Sequence, residues 1–472
     1  MNDELELNLF VHPSAFILHN SFVPVSPARH AAYSILMRLR AGRSFAVDLL
    51  QSGEVAGLND ADQRLATEIV MGVLRWQGAL DLQIELLSAK PLSYFDPEVL
   101  TILRMSIYQR VFLTKIPSHA VVNEAVELTK AARKSSASGL VNAVLRKAKP
   151  MRAGDLYVEI ARNDPTFSRW VRAATPRWML ERWEHQYGPD AAFALAYAAN
   201  QIPPATLRTR AGEREAIARQ LGNEGIETSA CRFAPHALTV RAGGLRKSRA
   251  FQNGEVVIQD EASQLVPALL AVRRGDRVLD LCAAPGIKTA QIAEALGAGT
   301  LVSCDVSAAR LATMKRLIAG SVPHGVDHTL LRLDTSRRLP FERTFDRILV
   351  DAPCSGTGTL ARNPEIKWKL EAKELVRLSR LQAAILGHAL EVLAPGGRLV
   401  YATCSLEPEE NECVVEKALA AAPGCQGPGR EELEREFPAW AELFDSSGTF
   451  RTRPDLHGMD GFFAAVIERN KM

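Results

Sequence analysis

The sequence predicts a multidomain chain: an all-α N-terminal domain, a small α+β middle unit and a C-terminal doubly wound α/β domain. Three observations predict it. The 472 residues exceed what one hydrophobic core usually organises, at roughly 100 to 200 residues per domain. The apolar period is helical through the first third, whereas short apolar runs alternate with helical stretches from about Gly254 onward. Charge is also segregated: from Arg104 to Arg249 there are 24 basic and 12 acidic residues, so this stretch carries +12 and the remainder −9, although the total is only +3. Such a basic block suits a polyanion, because Lys and Arg that displace counterions from phosphates supply most sequence-independent nucleic-acid affinity, but a solvated basic surface has the same signature.

Composition narrows the class. With 47% hydrophobic and 24% charged residues, 31 Gly and 25 Pro, the chain is neither collagen-like nor largely disordered. No apolar run nears the roughly 18 residues that span a bilayer, and the opening MNDELELNLF is acidic, unlike a secretory signal. A cytoplasmic protein is expected.

Residues 1 to 23 lack periodicity and read as a loosely docked extension. The first domain is expected over 24–150. Segments such as PARHAAYSILMRLR, DADQRLATEIVMGVLRWQGALDLQIELL and SHAVVNEAVELTKAA space apolar residues by three and four, giving roughly five or six helices. Turn signals such as Leu58-Asn59-Asp60 and Lys115-Ile116-Pro117 separate them, and Asp60 and Ser118 are the expected N-caps. The middle unit is expected over 151–250. RWMLERWEHQYG and DAAFALAYAAN read as helices, and PPATLRTR, REAIARQLGNEG and ALTVRA as strand, helix and strand. Trp170, Trp178 and Trp183 among Arg169, Arg172, Arg177 and Arg182 could form a stacking and phosphate surface, though helical spacing equally suits packing.

The third domain is expected over 251–472. RVLDLC, TLVSC, HTLLRL, RILVDA and RLVYATC are short apolar strands that alternate with helical segments, the order of a mostly parallel sheet with its ligand crevice at the strand carboxyl ends. GFFAAVIER adds a last strand, expected in a hairpin at the sheet edge.

The crevice is where the chemistry-bearing residues fall. Asp280-Leu-Cys-Ala-Ala-Pro-Gly-Ile-Lys-Thr289 links the first strand to a helix, but its single glycine, Gly286, and the missing GK[ST] ending suit neither a pyrophosphate nor a triphosphate. A nucleoside ligand without phosphates, such as S-adenosylmethionine, fits better. Asp305, 25 residues beyond Asp280, closes the second strand, where an acid can accept both ribose hydroxyls, and Asp334 closes the third, where a carboxylate can accept from an adenine amino group.

The seven cysteines, Cys231, Cys282, Cys304, Cys354, Cys404, Cys413 and Cys425, contain no CxxC pair, and no Cys/His cluster has zinc spacing. Neither a disulfide framework nor a metal is expected. Packing explains Cys282, Cys304, Cys413 and Cys425 well enough. It explains Cys354, in Asp351-Ala-Pro-Cys-Ser-Gly-Thr-Gly358, and Cys404, in Tyr401-Ala-Thr-Cys-Ser405, poorly, because both sit just past the ends of adjacent strands. Pyrimidine methylation gives such a pair a purpose. Carbon 5 of cytosine is a poor nucleophile, so a thiolate must first add to carbon 6, and afterwards the carbon-5 proton and the thiolate must both leave, which calls for a second group. Asp351, protonated or sharing a proton, could bond N3 and the 4-amino edge, and Lys288 could steady a base or a thiolate. A target base in structured RNA would have to be unstacked to reach the pocket. This chemistry does not fix which cysteine attacks.

DLCAAPGIKT, DAPCSGTG, TCS and the late DGFF resemble the motifs of the RNA cytosine-5 methyltransferases of the NOL1/NOP2/Sun family over roughly residues 254 to 470, and the helical first domain resembles the NusB-like RNA-binding module. The resemblance implies a Rossmann-like methyltransferase domain. It implies Cys404 as nucleophile, Cys354 as the group that helps release product, and Asp351 and Lys288 beside them. The donor site would comprise Cys282, Ala283, Ala284, Pro285, Gly286, Ile287, Lys288, Asp305, Asp334 and Asp351. The implied substrate is a cytosine of 16S ribosomal RNA, naked or in a partly assembled small subunit, with the first domain and the basic segment binding RNA and the protein acting as a monomer. Ile287 departs from the family pattern, which has a second glycine there, and is expected to hold φ below zero and narrow the donor pocket.

DNA cytosine methyltransferases use the cysteine after the fourth strand, which makes Cys354 the rival nucleophile. A ribosome-assembly factor whose catalysis is secondary is the rival reading from another class. An amino-group methyltransferase would carry an Asn/Asp-Pro-Pro-aromatic run in place of Asp-Ala-Pro-Cys. The acidic EPEENE after Cys404 reads as an exposed helix start, where carboxylates favour the helix dipole.

Overall fold

Helix packing organises the first third of the chain in the computed structural model, which describes residues 25–42, 44–148, 174–342 and 344–471. The expected extension over 1 to 23, and Trp170, Arg169 and Arg172, lie outside the described residues. Among the described residues seven α-helices form the first domain: α1 (Pro27–Ala41), α2 (Ala46–Leu50), α3 (Gly53–Ala56), α4 (Asp60–Ser88), α5 (Pro97–Phe112), α6 (Ser118–Ala131) and α7 (Ser138–Lys147). The helices beyond the expected number are α2 and α3, one turn each and too short to show a period. Their shared core holds Ile35, Ile69, Ile84, Ile102, Leu103 and Leu145, all fully buried. Both expected caps are corrected by one residue. Asn59 caps α4, its side-chain oxygen accepting from the Ala61 and Asp62 N–H groups, and Asp60 is the first helical residue. Ser118 likewise opens α6 after Pro117, whose side chain offers no acceptor.

The middle unit contains α8 (Arg177–Tyr187) and α9 (Pro189–Ala199), then β1 (Thr206–Thr209), α10 (Arg214–Asn223), β2 (Glu227–Ala230), β3 (Ala237–Ala242) and β4 (Val256–Ile258). The strands form an antiparallel sheet in the order β2-β3-β1-β4. The sequence reading misses β2 and β4, because ETSA is polar and partly exposed and VVI is only three residues long. Trp183 is fully buried and donates through its indole nitrogen to Glu407, and Arg182 pairs with Glu407 and Glu409, so this part of the tryptophan and arginine cluster packs against the third domain.

The last domain is a Rossmann-like sheet of eight strands. Its parallel core comprises β5 (Arg277–Leu281), β6 (Ala298–Asp305), β7 (Gly325–Arg332), β8 (Phe345–Asp351) and β9 (Leu393–Thr403). β12 (Phe463–Arg469) adds antiparallel to β9, and the two-residue strands β10 (Cys425–Gln426) and β11 (Phe450–Arg451) pair with β12 in turn. The expected terminal strand is present, but not as an edge hairpin. The chain between Thr403 and Phe463 carries helices of its own, and β12 needs outer partners because five of its seven residues are buried. Alternate strand residues feed two cores. Leu279, Ile348, Val350 and Leu399 pack with Ile385 and Leu386 of α12 (Ala372–Val392) on one face. On the other, Val278, Leu349 and Val400 pack with Ile292 and Leu296 of α11 (Ile287–Leu296). From β5 the chain winds outward to β6 and β7 and then returns to β8 on the other side, so the crevice opens between the carboxyl ends of β5 and β8. Among the described residues no helix is long and apolar enough to cross a membrane.

Candidate active site

The loop after β5 builds one wall. Gly286 has φ +99°, and a Cβ there would lie 2.6 Å from Met314 Cγ, so glycine is required for both conformation and space. Ile287 is the first residue of α11, where helical backbone supplies the negative φ that a branched residue needs. Its side chain lines a cavity of about 320 Å³ with Ala283, Ala284, Pro285, Lys288, Asp351, Cys404 and Phe462, whereas Cys282, Asp305 and Asp334 line only an adjoining cavity of about 580 Å³. The expected donor residues therefore divide between two spaces that share Ala284, Lys288, Asp351, Cys404 and Phe462, and Ile287 faces the smaller.

The strand-end acids differ in character. Asp305 is almost wholly buried; it accepts from the Ser307 N–H at 2.8 Å and lies 3.4 Å from Arg310. Asp334 is half-exposed and accepts from the N–H and hydroxyl of Ser336. Asp280 is buried, with one oxygen accepting from Thr289 and the other without a partner among the described residues; burial, opposed by the Thr289 hydrogen bond, pushes its carboxyl up to about 7. Lys288 Nζ lies 2.7 Å from Asp351 Oδ2. Burial works to lower the Lys288 ammonium, but the adjacent Asp351 carboxylate outweighs it and holds the lysine above its ordinary value.

The two singled-out cysteines meet. Cys354, past the end of β8, and Cys404, past the end of β9, have sulfur atoms 3.3 Å apart. Backbone bonds lock their loops together: the Gly358 N–H donates to Cys404 O at 2.9 Å, and the Gly461 N–H donates to Gly358 O at 2.8 Å. A Cβ on Gly358 would lie 2.0 Å from Gly461 O, so no larger residue fits between them. The hydrogen bond to Cys404, burial and the nearby Glu410 all push the Cys354 thiol well above its ordinary value. The other thiols stand apart from this pair. Burial pushes Cys282 and Cys304 each up to about 12, Cys425 is partly buried, and Cys413 is exposed, which corrects the packing assignment for that residue.

Reading EPEENE as an exposed helix start also proves wrong. Glu407 and Glu410 are buried, 1% and 0% exposed, and only Glu409 of the first three acids stays partly open. The turn after Cys404 folds back beneath the crevice, where the Ser355 N–H and hydroxyl, the Ser405 hydroxyl and the Gln382 amide converge on Glu410. The sequence reading also missed Arg362 and Asp460, which line the smaller cavity; Arg362 bridges Asp260 at 2.7 Å and Asp460 at 3.0 Å. Register carries the missed signal. Phe463 pairs antiparallel with Thr403, so residues just before the last strand must fall beside Cys404.

These residues suit a nucleoside that carries an amino-acid tail. Among the described residues the larger cavity offers acids at consecutive strand ends and two cations, Arg310, which spans Asp305 and Ala284 O, and Lys288, paired with Asp351, so neither is left free for a phosphate. Among the described residues no group of three or more His, Cys, Asp or Glu is gathered in metal-holding geometry.

Comparison with known proteins agrees with this architecture. Residues 267–468 match the family model described as 16S rRNA methyltransferase RsmB/F, residues 26–150 match the NusB family, and residues 175–244 match the ferredoxin-like domain of RsmF/B-like methyltransferases. The chain is 36% identical to the ribosomal RNA small subunit methyltransferase B of Pseudomonas putida, covering 91% of this chain and 98% of the relative. It is 32% identical to the probable ribosomal RNA small subunit methyltransferase B of Bacillus subtilis, over 93% of this chain and 98% of that protein. In fold it is similar to the crystal structure of PH0851, with TM-score 0.75, 23% identity, and coverage of 95% of this chain and 100% of the other. It is also similar to a methyltransferase homologue from Pyrococcus horikoshii, with TM-score 0.53, 26% identity, and coverage of 65% and 99%. The chain belongs to the RsmB/F family of 16S rRNA methyltransferases, enzymes that depend on S-adenosylmethionine.

Proposed function

We propose that this protein methylates carbon 5 of a cytosine in 16S ribosomal RNA through a covalent Cys404 adduct, working as a cytoplasmic monomer on naked RNA or a partly assembled small subunit. The observation that carries the reading is the pair of sulfurs 3.3 Å apart at the ends of β8 and β9, beside the Lys288–Asp351 pair. A methyl transfer to oxygen or nitrogen needs no thiol, whereas carbon 5 of a pyrimidine needs one to attack and a second group for release.

Bound S-adenosylmethionine supplies an electrophilic methyl group and departs as a neutral thioether. Cys282, Ala284, Lys288, Asp305, Asp334 and Asp351 would hold it in the larger cavity, with Ala283, Pro285, Gly286 and Ile287 shaping the loop that divides it from the smaller one. The unstacked cytosine would enter the smaller cavity, where Asp351, sharing a proton with Lys288, donates that proton to N3 and accepts from the 4-amino group. The Cys404 thiolate adds to carbon 6: a sulfur–carbon bond forms and the carbon 5–carbon 6 π pair moves toward carbon 5, N3 and O2, which makes carbon 5 nucleophilic. Once carbon 5 carries the methyl group, its proton leaves to a base, the carbon 5–carbon 6 double bond re-forms and the sulfur–carbon bond breaks. The Cys354 S–H then hydrogen-bonds the departing Cys404 thiolate.

RNA carrying 5-fluorocytosine at the target tests this, because fluorine cannot leave as a cation and the adduct persists. Wild type and Cys354→Ala should form the covalent adduct and Cys404→Ala should not; Cys354→Ala should also accumulate adduct on ordinary RNA. Adduct with Cys404→Ala but not with Cys354→Ala would assign attack to the other sulfur.

A further inference from the structure

Glu410 is an unusual group to find beneath a pair of cysteines. It is 0% exposed, and among the described residues no cation lies within ion-pair distance of it. Leaving a carboxylate buried without a counter-charge is costly unless hydrogen bonds satisfy it. Four donors do so: the Ser355 N–H at 2.9 Å and the Gln382 amide at 2.9 Å reach one oxygen, and the Ser355 and Ser405 hydroxyls, each at 2.5 Å, reach the other. Ser355 and Ser405 are the residues that immediately follow Cys354 and Cys404. One side chain therefore ties the two cysteine loops together from below, and the hydroxyl of Tyr401, two residues before Thr403, fixes the same glutamate's backbone oxygen.

The charges around the two sulfurs are unequal. Three of the four donors to Glu410 belong to the Cys354 side, the Ser355 N–H and hydroxyl and the Gln382 amide, which also donates to Pro353 O, and the Glu410 charge helps raise the Cys354 thiol, whereas Lys288 lies close enough to Cys404 to respond to its charge. Asp351 and Cys282 face both sulfurs from across the larger cavity. We propose that Glu410 is a positioning residue that divides the work between the two cysteines: its buried negative charge, held on the Cys354 side, keeps the proton on Cys354, so that Cys404 attacks and Cys354 offers an S–H to the thiolate when it leaves. This deepens the covalent reading above and rests on it for its meaning in turnover. The step moves no electrons beyond those already described: the Cys354 proton is shared with Cys404 as the sulfur–carbon bond breaks and stays on Cys354 when the next cycle begins.

The test needs no RNA, so its failure is distinct from a failure of the covalent reading, which the fluorocytosine experiment reports. In a Cys404→Ala background, the rate at which iodoacetamide alkylates Cys354 is followed from pH 6 to 10 by peptide mass spectrometry. Adding Glu410→Gln should move the profile to lower pH, with alkylation about tenfold faster at a fixed pH below the midpoint. Superimposable profiles overturn the proposal. Loosening of the loops could also speed alkylation, and the Ser355→Ala/Ser405→Ala pair separates the two effects, because it removes hydroxyl donors but keeps the charge. Its profile should stay in place or move to higher pH. A move to lower pH would assign the effect to loosening and overturn the proposal, and this arm decides the matter alone if Glu410→Gln does not fold. With both cysteines present, Glu410→Gln should accumulate adduct on ordinary RNA as Cys354→Ala does; unchanged turnover would also count against it.

Discussion

Asp280 shows how a single residue carries the tension between stability and binding. Its carboxyl is held inside the sheet with one oxygen bonded to Thr289 and the other unpartnered, and burial raises it from an ordinary 3.8 to about 7. The folded state thus keeps a proton that the unfolded chain releases, so this residue's contribution to stability is fully present below about pH 4 and is lost as pH rises through about 7. Relative to Asp280→Asn, the wild type should lose unfolding free energy across that window at up to about 1.4 kcal/mol per pH unit and run parallel to it above. Denaturant unfolding of both proteins from pH 4 to 8 checks this, and a constant difference would disprove it. At this scale the sequence is readable where a residue's position is set by strand ends. Asp305, Asp334, Asp351, Cys354 and Cys404 fall in the crevice because each lies at or just beyond the carboxyl end of a parallel strand. Glu407 and Glu410 are not readable in this way, because a run of acids is ordinarily solvated, and only the fold-back of the turn after β9 buries them.

Elements add a second layer, in which local chemistry fixes boundaries that periodicity leaves loose. The 29-residue helix α4 runs through the first domain's core, and its first free N–H groups are met by Asn59. Asn59→Ala should cost about 1 kcal/mol of stability, whereas Asp60→Ala, which removes a first-turn carboxylate and its exposed ion pair with Lys247, should cost about half that or less. Comparing their denaturation midpoints tests the placement, and a larger loss for Asp60→Ala would restore the cap to that residue. Helices of ten or more residues were legible because their apolar stripes repeat over several turns. The short strands β2 and β4 were not, since three or four residues cannot establish a period of two and their pairing comes from β3 and β1. The terminal strand was legible as a strand but not in its place, because GFFAAVIER does not reveal that it pairs with β9 rather than with a neighbour in sequence. That same pairing brings Asp460 and Phe462 to Cys404.

The whole molecule is joined at the segment that follows the cysteine loop. Beyond Gly358 the chain follows the crevice wall as far as Ile366 and reaches the first domain: Glu365 accepts from the Ala46 N–H, Trp368 donates to Leu74 O, and Lys369 donates to Gly42 O and Ser44 O. At its centre Lys367, 1% exposed, donates to Arg75 O of α4, to Ala174 O and to Asn200 Oδ1 at the end of α9, and so stitches the helical domain and the middle unit to the catalytic domain through one ammonium. Phe45, half-exposed in the loop that Glu365 and Lys369 hold, lines the same cavity as Cys354 and Asp305, so the first domain forms part of the catalytic wall. Under the proposed function, RNA held by the N-terminal domain would be registered against the cysteines by this segment and not by a flexible tether. Lys367→Met keeps about the length of the side chain but removes three buried hydrogen bonds, worth about 0.5 to 1.5 kcal/mol each. The variant should bind S-adenosylhomocysteine within about twofold of wild type, since the donor-site residues after β5, β6 and β7 do not touch the joint, while methyl transfer to RNA falls at least about tenfold, a loss of about 1.4 kcal/mol in transition-state stabilisation. Calorimetric titration and a tritium-transfer assay measure the two quantities separately. Equal losses in both would mean that Lys367 supports only folding, and unchanged transfer would mean that the helical domain and the cysteines work without a fixed register.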